Sequence, residues 1–590
     1  MYIERIDSLM DLKKLNLDQC MVLADEIREA LLNTISVTGG HLSSNLGIIE
    51  ATIALHYVFN SPEDKIIFDT SHQCYTHKIL TGRKNAYLEP QQYKRYSGYT
   101  NPDESVHDHF KLGHTSTSIS LACGLARARD LRGDKSNVIA VIGDGSLSGG
   151  EALEGLNYGG AEIKGNLIIL INDNQMSIAE NYGGIYKNIK TLRETKGKTD
   201  NNLFKLLGYD YRYVENGNDI RELVPVLQEI KNINHPIIIH VCTMKGKGYD
   251  IAENNKEETH FVKPFDLKIG DIQKPVIGER YDVIIREFLI KKIRADRNIV
   301  IMTAAMPVVL ALSKDVRESI GEQYIDVGIA EEHAISMAGG IAKSGGKPIF
   351  FTRATFYQRT YDQISQDICI NNLPITMILI NASIYAATDM THIGIFDIAM
   401  MANIPNLVML VPTNKQEYLA MLNWSIEQNK HPVAIRAPRN GVYYANYEVD
   451  TDYDELNKFK LVIQGEDIAV IALGDFYQLG EEVIKLMKDK IHINASLINP
   501  RYATGIDETL LKRISEDHDI VITLEDGILD GGFGQKISAF YGNSDIRVLN
   551  YGFKKEFTDC YLVDEILRKN RLQPEMIVED IISLKEKISV

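Results

Sequence analysis

Short apolar runs alternate with longer amphipathic stretches along almost the whole chain, and the runs fall into three sets. The first holds "KIIFD" (65–69), "NVIAVIG" (137–143), "NLIILIN" (166–172) and "PIIIHVC" (236–242). The second holds "RNIVIM" (297–302), "KPIFF" (347–351), "PITMILI" (374–380) and "LVMLV" (407–411). The third holds "EDIAVIAL" (466–473), "INASLI" (493–498), "DIVITLE" (519–525) and "IRVLNYG" (546–552). Continuous apolar runs bounded by turn residues or helical patterns predict strands buried on both faces, as in parallel sheets covered by helices. Polar stretches at about 252–282 and about 440–465 separate the sets. The pattern predicts an α/β chain of three modules with mostly parallel sheets, over 1–275, 276–450 and 451–590.

A length of 590 residues agrees with that division, since a single core rarely serves more than roughly 150–200 residues. The hydrophobic share of 44% and the charged share of 24% are ordinary for a globular protein. The net charge of −16 speaks against nucleic acid or an anionic membrane as main partner. It leaves room for phosphorylated small molecules, which need only a local basic site. The six cysteines (Cys20, Cys74, Cys123, Cys242, Cys369, Cys560) form no CxxC pair. The N-terminal residues are charged and lack an apolar signal core. No apolar run approaches the roughly 18 residues of a membrane span. A reducing, cytoplasmic setting is expected.

One strand end stands out. In "VIAVIGDGSLSGGEALEG" (138–155) a buried-strand pattern stops at Gly143, and Asp144 then sits between two glycines. Ligands of open α/β sheets gather beyond the carboxyl ends of strands. A helix expected to begin near Ser148 would point free N–H groups at that spot, which favours a phosphate. A carboxylate beside a phosphate needs a bridging cation, and Mg²⁺ takes one or two protein oxygens together with phosphate oxygens. The next strand, "NLIILIN", can supply the second oxygen, from the side-chain carbonyl of Asn174, 30 positions after Asp144, or from a backbone carbonyl nearby. Alone, a Gly-Asp-Gly is more often a plain turn; the paired strand ends favour the ligand reading.

That pairing resembles the thiamine diphosphate motif. Further segments lie in order along the chain: "GGHLSSNLGIIEATIALHYVF" (39–59), "SHQCYTHKILTGR" (71–83), "GHTSTSIS" (113–120), "KGKGYDIAE" (245–253), "VGIAEEHAISMAGGIA" (327–342), "TFYQRTYDQ" (355–363) and "IRAPRNG" (435–441). With them the chain resembles the 1-deoxy-D-xylulose-5-phosphate synthase family of transketolase-like enzymes, least specifically beyond about 445.

The resemblance implies two thiamine-diphosphate-binding domains and a C-terminal domain. It also implies a homodimer with thiamine diphosphate and Mg²⁺ as cofactors and no nucleic-acid or membrane partner. The reaction it implies joins pyruvate to D-glyceraldehyde 3-phosphate with loss of CO₂. Asp144, Asn174 and the backbone carbonyl of Met176 would hold the metal; Gly145 and Ser146 would hold the diphosphate. Glu331 matches the glutamate that hydrogen-bonds the aminopyrimidine, with Glu332 a bystander. Phe356 would stack on that ring. His72, Gly113, His114, Thr115, Tyr249 and Arg359 match cofactor-contacting positions. His41, His114 and His392 would line the substrate channel as proton shuttles, with His260 a weaker candidate and Asp389 orienting an imidazole. A capping or core role competes for Glu331, Phe356 and Asp389 alike.

Arg436 matches a phosphate-binding arginine, a task for which the guanidinium fork is suited. The chain also departs from the family. Ala382 and Pro102 stand where arginines are usual, Arg353 where a tyrosine is, and Ser71 where a glycine is. The stretch after "SIAENYGG" is short. Either Arg353 compensates at the acceptor phosphate, or the enzyme is a transketolase-type carboligase with another donor or aldehyde. A nucleotide-binding dehydrogenase or NTPase is disfavoured, because neither GxGxxG nor GxxxxGK[ST] occurs at a strand-to-helix turn.

Overall fold

The computed structural model describes residues 1–270, 278–384, 389–438, 441–559 and 562–588. It divides into two compact units: residues 1–276 with 327–330, and residues 277–326 with 331–590.

The first unit is built on five parallel strands: β1 (Lys65–Phe68), β2 (Val138–Gly143), β3 (Leu167–Asp173), β4 (Asp210–Val214) and β5 (Pro236–Cys242). Their order across the sheet is β1-β2-β3-β5-β4. Strand alternation divides the apolar runs between two cores. Ile139, Val141, Ile168 and Leu170 face one cluster with residues of the helices Leu17–Thr38, Ile49–Val58 and Ile220–Ile230. Ala140, Ile142, Ile169 and Ile171 face the other, against Ser118–Arg132 and Gly150–Glu162. Full burial of each such aliphatic side chain is worth about 1.5–3 kcal/mol, which is why these strands carry no polar face. The register pairs Gly143 with Asn172 and Asp173 with Cys242. Asp144 and Asn174 therefore leave the sheet at the same edge.

The second unit holds two sheets. One comprises β6 (Ile299–Thr303), β7 (Tyr324–Asp326), β8 (Lys347–Arg353), β9 (Thr376–Ala382), β10 (Val408–Leu410) and β11 (Val433–Pro438), all parallel, in the order β10-β11-β9-β8-β6-β7. The other comprises β12 (Lys460–Ile463), β13 (Asp467–Ala472), β14 (Ser496–Asn499), β15 (His518–Ile528) and β16 (Arg547–Phe553), in the order β12-β14-β13-β15-β16. Only the β12–β14 pairing in it is antiparallel.

Each predicted strand set becomes one sheet. The second and third modules pack as a single compact unit, and the boundary expected at 275/276 lies outside the described residues. The helix expected near Ser148 begins instead at Gly150, after a 3₁₀ turn over Asp144–Ser148. No helix among the described residues is long and apolar enough to cross a membrane.

Candidate active site

At the carboxyl edge of the first sheet Asp144 is buried, with two different oxygens. Oδ2 accepts a hydrogen bond from Asn181 Nδ2 at 2.7 Å, whereas Oδ1 is buried with no hydrogen-bond partner among the described residues. Burial, reinforced by the nearby Asp173 carboxylate, pushes the Asp144 carboxyl well above its ordinary range. A bound cation would relieve both conditions. Asn174 closes a local turn, its Oδ1 accepting from Met176 N at 3.3 Å. Gly145 lies against the following turn so closely that an added Cβ would stand 2.6 Å from Ser177 Cβ. Lys245, buried, donates from Nζ to Ser177 O at 2.5 Å, and burial pushes its ammonium down to about 7.

The segment carrying Gly113, His114 and Thr115 is docked on this edge. Asp69, directly after β1, accepts from Ser116 N at 2.9 Å and Ser118 N at 3.1 Å. Ser116 Oγ in turn donates to Ser146 O at 2.8 Å. His41 and His260 come together because Gly40–His41 pairs antiparallel with Phe261–Val262. Buried Asn45 donates to the carbonyls of His41 (3.0 Å) and His72 (2.9 Å), tying the two loops. The His41 ring centroid lies 5.1 Å from that of His72 and 5.6 Å from that of His260, and His72 lies 5.2 Å from His260. Tyr249 donates its hydroxyl to Leu267 O at 3.1 Å.

In the second unit Glu331 opens the helix Glu331–Lys343 and is 3% exposed. Its Oε2 has no hydrogen-bond partner among the described residues, and the Arg359 guanidinium stands 3.9 Å away. Burial raises the carboxyl to about 7, against the opposing pull of Arg359. Glu332 is only half-buried. The Phe356 ring meets His392 edge-on at 5.6 Å. His392 Nδ1 is 3.2 Å from Asp389 Oδ1, which also accepts from Thr391 N at 2.8 Å. Burial alone would raise Asp389, but the His392 and Thr391 contacts outweigh it and hold the carboxylate low.

Comparison with known proteins decides the family. The model for the N-terminal region of 1-deoxy-D-xylulose-5-phosphate synthase matches residues 3–200 and 188–243. The transketolase pyrimidine-binding domain matches 280–443, and the transketolase C-terminal domain 457–577. Curated 1-deoxy-D-xylulose-5-phosphate synthases from Caldanaerobacter subterraneus and Alkaliphilus oremlandii are 38% and 39% identical, each over 98% of both chains. The chain belongs to the 1-deoxy-D-xylulose-5-phosphate synthase family.

As a synthase-family member it is a transketolase-type transferase. One expected residue is placed differently. Arg436, on β11, is 2% exposed and sits between two carboxylates. Its Nε donates to Asp397 Oδ2 at 2.7 Å, and Nη1 donates to Asp526. Those contacts raise the guanidinium pKa against the effect of burial. The fork expected to receive a substrate phosphate is thus already occupied. Arg439 of the same "IRAPRNG" segment lies outside the described residues. Arg353 differs: it ends β8, half-buried, and its Nε is buried without a hydrogen-bond partner among the described residues. Ala382 is buried at the end of the neighbouring β9, and Pro102 is exposed. Lys245 and Asn181 were missed by sequence reasoning, although Lys245 opens the "KGKGYDIAE" segment.

Proposed function

We propose that the chain joins pyruvate to D-glyceraldehyde 3-phosphate with loss of CO₂, giving 1-deoxy-D-xylulose 5-phosphate, with thiamine diphosphate and Mg²⁺. The observation that carries the reading is two buried carboxylate oxygens without hydrogen-bond partners among the described residues, Asp144 Oδ1 and Glu331 Oε2. A buried unpaired polar atom costs about 1–3 kcal/mol. Each therefore calls for a ligand, one a cation and the other a hydrogen-bonding nitrogen. Thiamine diphosphate, when bound, supplies the acidic carbon–hydrogen bond and the electron sink that the decarboxylation requires.

The chain's own residues divide the remaining work. Asp144, Asn174 and the Met176 carbonyl hold Mg²⁺; Gly145 and Ser146, with Gly113, His114, Thr115 and Lys245 nearby, receive the diphosphate. Glu331 keeps a proton at a buried carboxyl near neutral pH, where it can share it with a ring nitrogen. Phe356 offers a flat apolar face, and Arg359 tempers the charge of Glu331. His41, His114 and His392 move protons on the substrate, His392 being held by Asp389; His72 and Tyr249 complete the cofactor contacts. Arg353 takes the acceptor phosphate in place of Arg436.

The protein is further proposed to be a cytoplasmic homodimer, in keeping with its five free cysteines among the described residues; sedimentation tests the assembly. The cofactor reading is tested by titrating the protein with thiamine diphosphate with and without Mg²⁺ and following circular dichroism. Saturable binding that needs both is expected. Absence of binding overturns the reading.

A further inference from the structure

Past Met176 the chain turns back, with Met176 and Glu180 bridged antiparallel, and enters the helix Gly184–Glu194. Ile189 and Leu192 are buried in the core under the sheet and Ile185 packs against it. Their i, i+4, i+7 spacing explains why this helix docks. Three polar side chains of the same segment then reach the sheet's carboxyl edge. Asn181 Nδ2 donates to Asp144 Oδ2 at 2.7 Å. The Tyr186 hydroxyl donates to Gly145 O at 2.9 Å. Arg193 Nη1 donates to Asp173 Oδ2 at 2.6 Å.

Tyr186 and Arg193 are two turns apart on one helix face, about 10 Å along the axis. The helix thereby spans from the Gly145 carbonyl to the end of β3. Its far anchor is braced. His240 Nε2 is 2.7 Å from the same Asp173 oxygen, and His240 Nδ1 is 2.7 Å from the Tyr211 hydroxyl. Asp173, His240 and Cys242 bring their ligand atoms within 4.8 Å of one another. With both His240 nitrogens engaged and Arg193 on the carboxylate, the group is a brace rather than a metal centre. Asp173 Oδ1 also accepts from Gln175 N at 3.2 Å, so the brace fixes the turn that carries Asn174 and Met176.

The contacts have a chemical consequence. Asn181 occupies one Asp144 oxygen and leaves Oδ1 as the free ligand atom. Gly145 O accepts from both Tyr186 and Ser148 Oγ, the latter at 3.1 Å. A peptide unit is planar, so fixing that carbonyl also fixes the direction of the Ser146 N–H. We propose that Asn181, Tyr186 and Arg193 are positioning residues that clamp the Asp144–Gly145 turn and set how tightly, and for how long, the metal–diphosphate group is held. This rests on the reading of Asp144 and Gly145 as that group's site.

The test measures affinity by calorimetry and dissociation by stopped-flow, using Mg²⁺ and thiamine diphosphate with the full-length protein. Tyr186→Phe, Arg193→Gln and Asn181→Ala should each weaken affinity roughly 10- to 100-fold, as outer-shell partners of metal ligands do. Faster dissociation should carry the loss, and KM for pyruvate at saturating cofactor should stay near wild type. Arg193→Lys should recover part of the affinity. Tyr186→Phe, which removes a single oxygen, keeps the test valid if a larger change fails to fold. Asp144→Ala is the control and should not bind. Clamp variants that match wild type in affinity and dissociation while Asp144→Ala fails to bind overturn the clamp alone. Normal binding by Asp144→Ala overturns the underlying site, and the clamp with it.

Discussion

Glu331 Oε2 lies 3.9 Å from the Arg359 guanidinium, too far for a hydrogen bond yet near enough for its charge to act. The carboxyl is thereby left at about 7 rather than being drawn down into a salt bridge. Between pH 4.5 and about 7 the folded protein binds more protons at Glu331 than the unfolded chain does. Stability from this group is thus full at low pH and falls as pH rises through that window. Apoprotein carrying Glu331→Gln should lack this loss and melt higher than wild type at pH 8, with a gap that closes toward pH 4. Cofactor carbon–hydrogen exchange followed by NMR should slow strongly in the same variant. A larger slowing in Glu332→Gln would place the acid at the wrong glutamate.

Lys245 should behave in the opposite way in the presence and absence of ligand. Its ammonium is buried and depressed to about 7. The folded state therefore holds fewer protons than the unfolded chain between about pH 7 and 10.5, and this group's contribution to stability rises with pH there. Lys245→Met removes the burial cost. Its apoprotein should be no less stable than wild type at pH 7, while its affinity for thiamine diphosphate should drop by an order of magnitude or more, through loss of a charge-assisted contact. Unchanged affinity by calorimetry would exclude the lysine from the diphosphate site.

Arg436 and Arg353 should separate by readout. Arg436→Ala leaves Asp397 and Asp526 buried together, and breaking such a pairing costs about 3–5 kcal/mol. It should appear as a lower unfolding midpoint in denaturant. Arg353→Ala should leave the midpoint nearly unchanged and raise KM for glyceraldehyde 3-phosphate strongly, with little change for unphosphorylated glyceraldehyde. Equal losses on both aldehydes would remove the phosphate role.

These residues also mark what could be read from sequence. Strands β1, β2, β3 and β5 were legible because both of their faces are apolar. β4 was not, since "DYRYV" alternates exposed and buried positions. β11 was hidden by Arg436 and its flanking prolines, and β7 and β12 are short, partly exposed strands at the ends of their sheets. Within the candidate site, Asp144, Asn174 and Glu331 are legible as candidates because each stands at a strand or helix end in a local motif. Arg436 misled for the same reason: the motif is local, but its partners Asp397 and Asp526 lie 39 and 90 residues away. Asn181, Tyr186 and Arg193 carried no signal, because their meaning comes from Asp144, Gly145 and Asp173 across the fold.

The reaction itself is open to product identification by NMR. Pyruvate labelled with ¹³C should be incubated with the Mg²⁺- and thiamine-diphosphate-loaded protein and a panel of phosphorylated and free aldehydes. 1-Deoxy-D-xylulose 5-phosphate should form from glyceraldehyde 3-phosphate, with one CO₂ released per product and little turnover when the aldehyde is left out. Preferential formation of another ketose, or pyruvate consumption indifferent to glyceraldehyde 3-phosphate, would contradict it.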